Sequence, residues 1–266
     1  MSNKNDYLFR AKTVEAYTIK SISEVLQNIL TDVCFIFDKD CIKLLTVDNK
    51  RPARLLVHLK LNGDAYNEYH CPKPLSVGVN LQHLYKMCKS IKKKDKNVLF
   101  IKKSAPGLLG VTTIQADSGQ PVTSHIKIQK LSQVETALPD DYDHPIHIST
   151  STYQKMCKDM QGISNEIKVQ STGSFLKFRC EVEGMYDREV SFGELEDDDN
   201  KEYDYCDSFY TKSLSQLIKV SGLNNRMQVY TPTHERSPLK ISINTGQLGK
   251  LEVFIKSIAQ ITNTDQ

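Results

Sequence analysis

Two hydrophobic periodicities alternate along this chain of 266 residues, and their order constrains the fold more than any other feature. Over most of the length, apolar residues recur at every second position, which is typical of strands with one buried face. Predicted strands cover residues 33–37, 42–47, 55–61, 98–101, 111–115, 125–131, 167–170, 175–182, 188–192, 227–230, 239–243 and 251–255. Strands therefore dominate the predicted fold.

Four stretches break this alternation with apolar spacings of three, four and seven, which predict amphipathic helices. The first runs from Glu15 to Thr31, and the others follow Asn80, the serines at 149 and 151, and Thr211. Their centres lie roughly 60–70 residues apart, and the motif Lys-Met-Cys-Lys occurs in both the second and the third helix, at 86–89 and 155–158. The spacing predicts four copies of a strand–helix–strands unit, grouped two by two.

A segment without clear periodicity separates the two halves. Residues 132–145 contain two prolines and several acidic residues, which is typical of a linker between domains. We therefore predict an N-terminal domain over 1–131, a connector over 132–145 and a C-terminal domain over 146–266.

Positive charge is concentrated on the predicted helices, although the net charge of the chain is only +3. Residues 194–204 contain seven acidic residues and one lysine, so the remainder of the chain is strongly basic. On helical wheels, lysines lie on the face opposite the apolar stripe, at Lys20, Lys86, Lys89, Lys155, Lys158, Lys212 and Lys219. This pattern fits separate solvated faces or one shared cationic surface, and a shared surface would attract a phosphate backbone without sequence preference. The lysine-rich run 92–96 fits either a phosphate contact or a solvated turn.

Catalytic and metal-binding motifs are not found in the sequence. It lacks the nucleotide-binding glycine loops, the Gly-x-Ser-x-Gly elbow and the His-Glu-x-x-His motif. The seven cysteines form no Cys-x-x-Cys pair, which disfavours a zinc site or a disulfide framework and fits a reducing intracellular compartment. His144 and His147, beside Asp141 and Asp143, are the strongest metal candidates, but Pro145 lies between them in the linker. We predict no cofactor, no membrane span and no signal peptide.

Several collinear motifs resemble a known family. They are the run from Tyr69 to Lys89 with its core Gly78-Val-Asn-Leu81, then Phe9-Arg-Ala-Lys12, Leu138-Pro139 and Gly249-x-Leu251. Together they span nearly the whole chain, and they resemble the proliferating cell nuclear antigen family, the sliding clamps of eukaryotes and archaea.

The resemblance implies an α+β DNA-clamp fold, with two similar domains that each carry antiparallel sheets outside and two helices inside. Three such subunits would close into a homotrimeric ring around duplex DNA, with the seven helix lysines facing the DNA. Subunits would join through strand edges near 122–129 and 185–193, where the interface residues are His125, Lys127, Arg188, Val190 and Phe192. Partner peptides would enter a groove beneath the connector, lined by Val47, Leu138, Pro139, Pro238 and Phe254.

The implied function is that of a non-enzymatic DNA polymerase processivity factor. It would tether replication and repair proteins that carry short peptides of the kind bound in the groove of the family. An ATP-dependent clamp loader would open the ring, in the nucleus or at a cytoplasmic replication site of a virus. The chain departs from the family at Lys256-Ser257, where Ala-Pro is usual, at Arg51-Pro52 beside the groove, and in the loop 171–174, which lacks the family's modified lysine. Such divergence suits a lower eukaryote or a large DNA virus.

Two alternatives remain open from the sequence. A protein with the clamp fold can act as a monomer, as a dimer or as one subunit of a heterotrimer. The other alternative is an intracellular hydrolase that uses a cysteine or the His144 and His147 region.

Overall fold

The structure is a computed structural model that describes residues 4–48, 54–133, 135–140, 142, 144–172, 174–182, 185–193, 203–234 and 237–264. The chain divides into two units. The first comprises residues 1–46, 58–135 and 244–251, and the second comprises 47–57, 136–243 and 252–266. The division between Glu135 and Thr136 falls within the predicted connector.

In the first unit, two helices follow strands and pack on antiparallel sheet. The elements are β1 (Tyr7–Thr13), α1 (Ala16–Ile29), β2 (Asp32–Phe37), β3 (Cys41–Asp48), β4 (Leu55–Asn62), β5 (Glu68–His70), β6 (Leu75–Asn80), α2 (Leu81–Cys88), β7 (Lys96–Lys102), β8 (Leu108–Ile114) and β9 (Pro121–Lys127). One sheet has the order β5-β1-β7-β8-β9, and β2 pairs with both β6 and β3. Strand β9 is therefore an edge strand.

The second unit repeats this plan. Its elements are β10 (Ile146–Ser149), α3 (Thr150–Gln161), β11 (Glu166–Ser171), β12 (Phe175–Val182), β13 (Tyr186–Gly193), β14 (Tyr205–Tyr210), α4 (Thr211–Ser215), β15 (Arg226–Tyr230), β16 (Leu239–Thr245), β17 (Gly249–Ile255) and α5 (Ile258–Thr264). One sheet has the order β13-β12-β11-β14, and β15 pairs with β10 and β16. Strand β13 is an edge strand of this sheet.

Apolar stripes and polar caps fix the longer helices. Helix α1 buries Ile19, Ile22, Leu26 and Ile29, as its period of three and four predicts. The side chain of Asn80 accepts a hydrogen bond from the backbone N–H of His83 at 3.1 Å, so the predicted N-cap of α2 is confirmed. In the second unit, Ser149 caps α3 in the same way.

The fourth predicted helix is shorter than its apolar pattern indicates. Helix α4 ends at Ser215, and the chain continues as a 3-10 turn over Ile218–Gly222. Leu217 between them has φ −91° and ψ 6°, which is outside the α region and interrupts the helix. Leu214, Leu217 and Val220 are buried on both sides of the break. The apolar pattern therefore predicts which residues are buried, but not where the helix ends.

The strand predicted over 125–131 is wrong beyond Lys127. After β9 the N–H of Gln129 donates to the carbonyl of Gly78 at 2.8 Å, so this segment leaves β8 and touches β6 instead. The sequence prediction also missed β1, β5, β6, β10, β14 and α5. Three of these strands have at most six residues and directly precede a helix, where the two periodicities overlap.

The close approach at Gly78 gives a test of the packing. A Cβ atom at Gly78 would lie 2.3 Å from the carbonyl oxygen of Gln129, which is backbone and cannot rotate away. We expect Gly78→Ala to lower the free energy of unfolding by about 1–3 kcal/mol, as overpacking does. Gly107→Ala is the control, because nothing lies within 4 Å of a Cβ there. Urea unfolding of both variants checks this, and equal stabilities would contradict the packing described.

Candidate functional site

Lysines lie on the outer faces of the two helices in the first unit. Helices α1 and α2 lie side by side. Lys86 and Lys89 are exposed on α2, while Leu81 and Cys88 of the same helix are fully buried. Lys20 on α1 is only half-exposed, because its Nζ donates to the carbonyl oxygen of Ile91 at 3.2 Å and lies 5.3 Å from the centroid of the Tyr17 ring. Six of the seven predicted lysines, all except Lys20, are exposed.

The second unit presents its lysines in the same way. Lys155 and Lys158 are exposed on α3, opposite buried Tyr153, whose hydroxyl donates to the carbonyl of Leu214 at 2.9 Å and ties α3 to α4. Lys212 lies exposed on α4, and Lys219 lies exposed on the following 3-10 turn.

The acidic residue next to Lys158 is engaged by an arginine. A carboxylate oxygen of Asp159 accepts a hydrogen bond from Arg188 at 2.5 Å, so much of its negative charge is directed towards β13. Asp159 therefore offsets less of the positive charge on the α3 face.

Both predicted interface segments lie on edge strands. His125 and Lys127 are exposed on β9, and Arg188 is exposed on β13. Val190 is half-buried, and the ring of Phe192 packs 5.8 Å from Phe178 in the core of its own unit. Apolar side chains are exposed at the same edges, with Val122 at 53% and Tyr186 at 55% exposure.

The backbone of β9 shows which groups face its free edge. The N–H of Ile128 donates to Gly107, and at the other end of the ladder Gln115 donates to Gln120. In an antiparallel ladder these bonds alternate, so even-numbered residues of β9 point their N–H groups towards β8. The N–H groups of Thr123, His125 and Lys127 therefore point outward and are available to another strand.

The five predicted groove residues all belong to the second unit. Leu138 is 37% exposed, Val47, Pro139 and Pro238 are half-buried, and Phe254 is buried at 1% exposure. Tyr142, which the sequence prediction missed, connects two of them. Its hydroxyl donates to the carbonyl of Pro238 at 2.8 Å, and its ring centroid lies 6.1 Å from that of Phe254.

A partly buried ion pair lies among these aromatic rings. The Nζ of Lys240 is 2.9 Å from Glu252, and both side chains are less than one-fifth exposed. The same ammonium group lies 5.3 Å, 5.1 Å and 5.5 Å from the ring centroids of Tyr142, Tyr230 and Phe254. Burial, and to a smaller extent the charge of Glu252, raise the pKa of Tyr230. One signal in the sequence could have indicated this cluster. The strand period of two places Pro238, which directly precedes β16, on the same face as Lys240, and it places Glu252 with Phe254 on one face of β17.

The candidate nucleophiles and metal ligands do not combine into one site among the described residues. Six cysteines are buried and Cys206 is exposed. Burial raises the pKa of the Cys88 thiol to about 12 and that of Cys157 to about 12, which disfavours the reactive thiolate. His144 and His147 are exposed, and Asp141 and Asp143 are outside the described residues. Within the described ranges, no three His, Cys, Asp or Glu residues cluster as a metal site would require.

The comparison with known proteins shows which family the chain resembles. Residues 8–135 match the family model described as proliferating cell nuclear antigen, N-terminal domain. A probable DNA polymerase sliding clamp 1 of Paramecium bursaria Chlorella virus 1 is 25% identical over 261 residues, which cover 96% of this chain and 98% of the relative. The chain is a divergent clamp-like protein that is similar to viral sliding clamps and to proliferating cell nuclear antigen.

Other relatives agree with this assignment. A probable DNA polymerase sliding clamp of Autographa californica nuclear polyhedrosis virus is 22% identical over 97% of the clamp and 99% of the relative. Proliferating cell nuclear antigen of Chaetomium thermophilum is 21% identical over 65% of the clamp and 66% of the relative. The crystal structure of the Entamoeba histolytica protein of that name superposes with a TM-score of 0.81 at 20% identity, covering 94% of the clamp and 99% of that chain. The predicted two-domain clamp fold is confirmed.

One departure from the family has a structural role in the clamp. Ser257 replaces the usual proline, and its Oγ accepts from the N–H of Gln260 at 3.2 Å while Gln260 Oε1 accepts from the N–H of Ser257 at 3.1 Å. This reciprocal pair is a capping box, and it begins helix α5. Arg51, Pro52, Gly173 and the acidic residues 194–202 lie outside the described residues, so the departures there stay sequence observations.

Among the described residues, the helices are too short or too polar to cross a lipid bilayer.

Proposed function

We propose that the clamp encircles duplex DNA as a homotrimer and holds a DNA polymerase at the primer end. The observation that carries this proposal is the repeated arrangement of the helices. Each unit packs the apolar faces of two helices on its own sheet and exposes lysines on the opposite faces. In a ring of three, eighteen exposed lysines and three half-exposed copies of Lys20 would face the DNA.

The clamp would act by topology and diffuse attraction. Lysine ammonium groups attract phosphates without reading base edges, so the protein is held near the DNA but not at one sequence. A closed ring stays on the duplex while the individual contacts exchange, which allows sliding. A polymerase bound to the ring gains a high effective concentration at the primer end.

The subunits would join by pairing β9 of one subunit with β13 of the next. Both strands are edges of their sheets, and pairing them satisfies the outward N–H groups of Thr123, His125 and Lys127. The exposed charges differ between the two strands, because β9 carries Lys127 while β13 carries Asp187, Arg188 and Glu189. The two carboxylates of β13 already pair with Arg179 and Lys177 of β12, so backbone pairing is the main support for this interface. A monomeric or dimeric clamp would leave these edges exposed.

Partners would bind at the surface formed by Leu138, Pro139 and Pro238 with Tyr142. Short peptides with apolar and aromatic anchors fit such a surface. An ATP-dependent loader would open the ring, and the raised pKa values of the buried Cys88 and Cys157 thiols support a role without a catalytic step. The protein would act in the nucleus, or at a cytoplasmic site of viral replication.

Primer extension tests the proposed function. A replicative polymerase from the same source extends a primer on a long template, with excess competitor DNA present so that each product reflects one binding event. We expect the clamp to lengthen the products at least tenfold when it is loaded. Product lengths that do not change with loaded clamp would contradict the proposal, and hydrolytic activity lost on cysteine or histidine substitution would favour the hydrolase alternative.

A further inference from the structure

A lysine-rich loop joins α2 to β7 in the first unit, and the proposed function does not use it. Residues 92–96 contain four lysines and one aspartate, and all four lysines are exposed. The loop directly continues the helix that carries Lys86 and Lys89. It therefore extends an existing line of positive charge.

Asp95 gives this loop a fixed shape. Its side chain is buried, at 3% exposure, and its two oxygens accept hydrogen bonds from the backbone N–H groups of Lys92 at 2.8 Å and Ala116 at 3.0 Å. These two hydrogen bonds lower the pKa of the Asp95 carboxyl, so it is ionised at neutral pH. The negative charge of the loop is thus directed inward, while the lysines point to solvent.

The loop also lies against helix α1. Lys20 on α1 donates to the carbonyl of Ile91, at the start of the loop, at 3.2 Å. The ring of Tyr17 has two ammonium groups near it, Lys20 at 5.3 Å and Lys93 at 5.9 Å from the centroid. Cation–π attraction holds the two like charges together, at a cost in mutual repulsion that a bound anion would relieve.

The neighbouring acidic groups have partners of their own. Asp117 lies 3.2 Å from Lys92, and Glu15 accepts hydrogen bonds from Thr18 and from the N–H of Gln247. The pair between Lys92 and Asp117 is exposed on both sides, so it is weak. Lys93 and Lys94 are exposed in the loop itself and can contact a ligand, while exposed Lys96 already begins β7.

We infer that Lys93 and Lys94, supported by Tyr17 and Lys20, form an additional contact with the phosphate backbone of duplex DNA. This inference rests on the proposed function. Continuity with Lys86 and Lys89 favours duplex DNA over a small anion, because four exposed cations along one helix and loop match a row of phosphates. Tyr17 has ammonium groups near its ring, so it supports the cations and does not stack on bases.

Binding to a 30-base-pair duplex of random sequence, followed by fluorescence anisotropy over a range of salt concentrations, tests the inference. The slope of log K against log salt falls by about 0.9 for each phosphate contact that is lost. We expect Lys93→Ala with Lys94→Ala to reduce the slope by one to two and to weaken binding about tenfold or more at low salt. The control is Lys102→Ala with Lys103→Ala, which removes the same charge at the opposite end of β7 and should change the slope little.

The variant Asp95→Asn tests whether the Asp95 carboxylate positions the loop lysines or whether net charge alone attracts the DNA. This variant makes the clamp more positive, so attraction alone predicts tighter binding. If the Asp95 carboxylate positions the lysines, binding weakens several-fold, while thermal unfolding and light scattering confirm that the variant stays folded and assembled. Equal slopes for the loop variant and its control would overturn the inference. If substitution of the helix lysines also leaves binding unchanged, the proposed function fails as well.

Discussion

Replacing His125 with proline should convert the assembled clamp into monomers of about 30.2 kDa without unfolding them. Proline removes the N–H of residue 125, which points away from β8 and towards the free edge of the sheet. Proline is tolerated at such an edge, because the pairing with β8 uses the N–H groups of Ser124 and Ile126. We expect a loss of about 2–3 kcal/mol at each interface of the ring, from the missing hydrogen bond and the clash of the ring with the facing strand.

His125→Ala is the matched control for this prediction. It removes the imidazole and its edge contact with Phe100, at 5.9 Å between ring centroids, but keeps the backbone N–H. Light scattering at micromolar concentrations should give a trimer for His125→Ala and a monomer for His125→Pro, with similar circular dichroism spectra. A trimer in both variants would show that β9 does not form the interface.

Removing four helix lysines should nearly abolish the electrostatic hold on DNA. The variant carries alanine at Lys86, Lys89, Lys155 and Lys158, which are exposed and therefore cost little stability when replaced. We expect DNA affinity at low salt to fall about a hundredfold or more, since each lost phosphate contact lowers the salt slope by about 0.9. In primer extension with competitor DNA, the products of single binding events should become shorter as the DNA affinity falls.

The control for this variant removes the same charge away from the helices. Lys60, Lys73, Lys102 and Lys103 are exposed on strands and loops of the first unit, and their replacement by alanine should leave affinity within about threefold. Equal losses in the two variants would mean that total charge matters and that the helix faces are not the binding surface.

The helices illustrate how far sequence reasoning reaches. The sequence predicted both ends of α1 and the starts of α2 and α3 to within two residues, because a polar cap or an extended residue lies at these ends. The break at Leu217 was not predictable, because the apolar spacing continues through it. The end of β9 at Lys127 was missed for a related reason, since a tertiary bond between Gln129 and Gly78 decides where the strand stops.

The candidate site shows the same division. Wheel positions predicted which lysines are exposed, because exposure follows from the local period of one helix. The partly buried position of Lys20 and the cluster around Lys240 were not predictable. The latter joins Tyr142, Tyr230 and Phe254, which are far apart in the sequence and meet only when the sheet forms. The role of Asp95 was also hidden, since its partner Ala116 lies on another loop.

The most direct test of encirclement measures how much clamp stays bound to linear DNA. The clamp is incubated at high concentration with a linear duplex that carries biotin at both ends, so that rings can thread over the ends, and streptavidin is then added. The DNA is separated from free protein in 0.5 M salt, which suppresses simple electrostatic binding. The account predicts that clamp stays with the DNA only when streptavidin blocks both ends. Loss of the clamp regardless of the ends, or equal retention with open ends, would contradict encirclement.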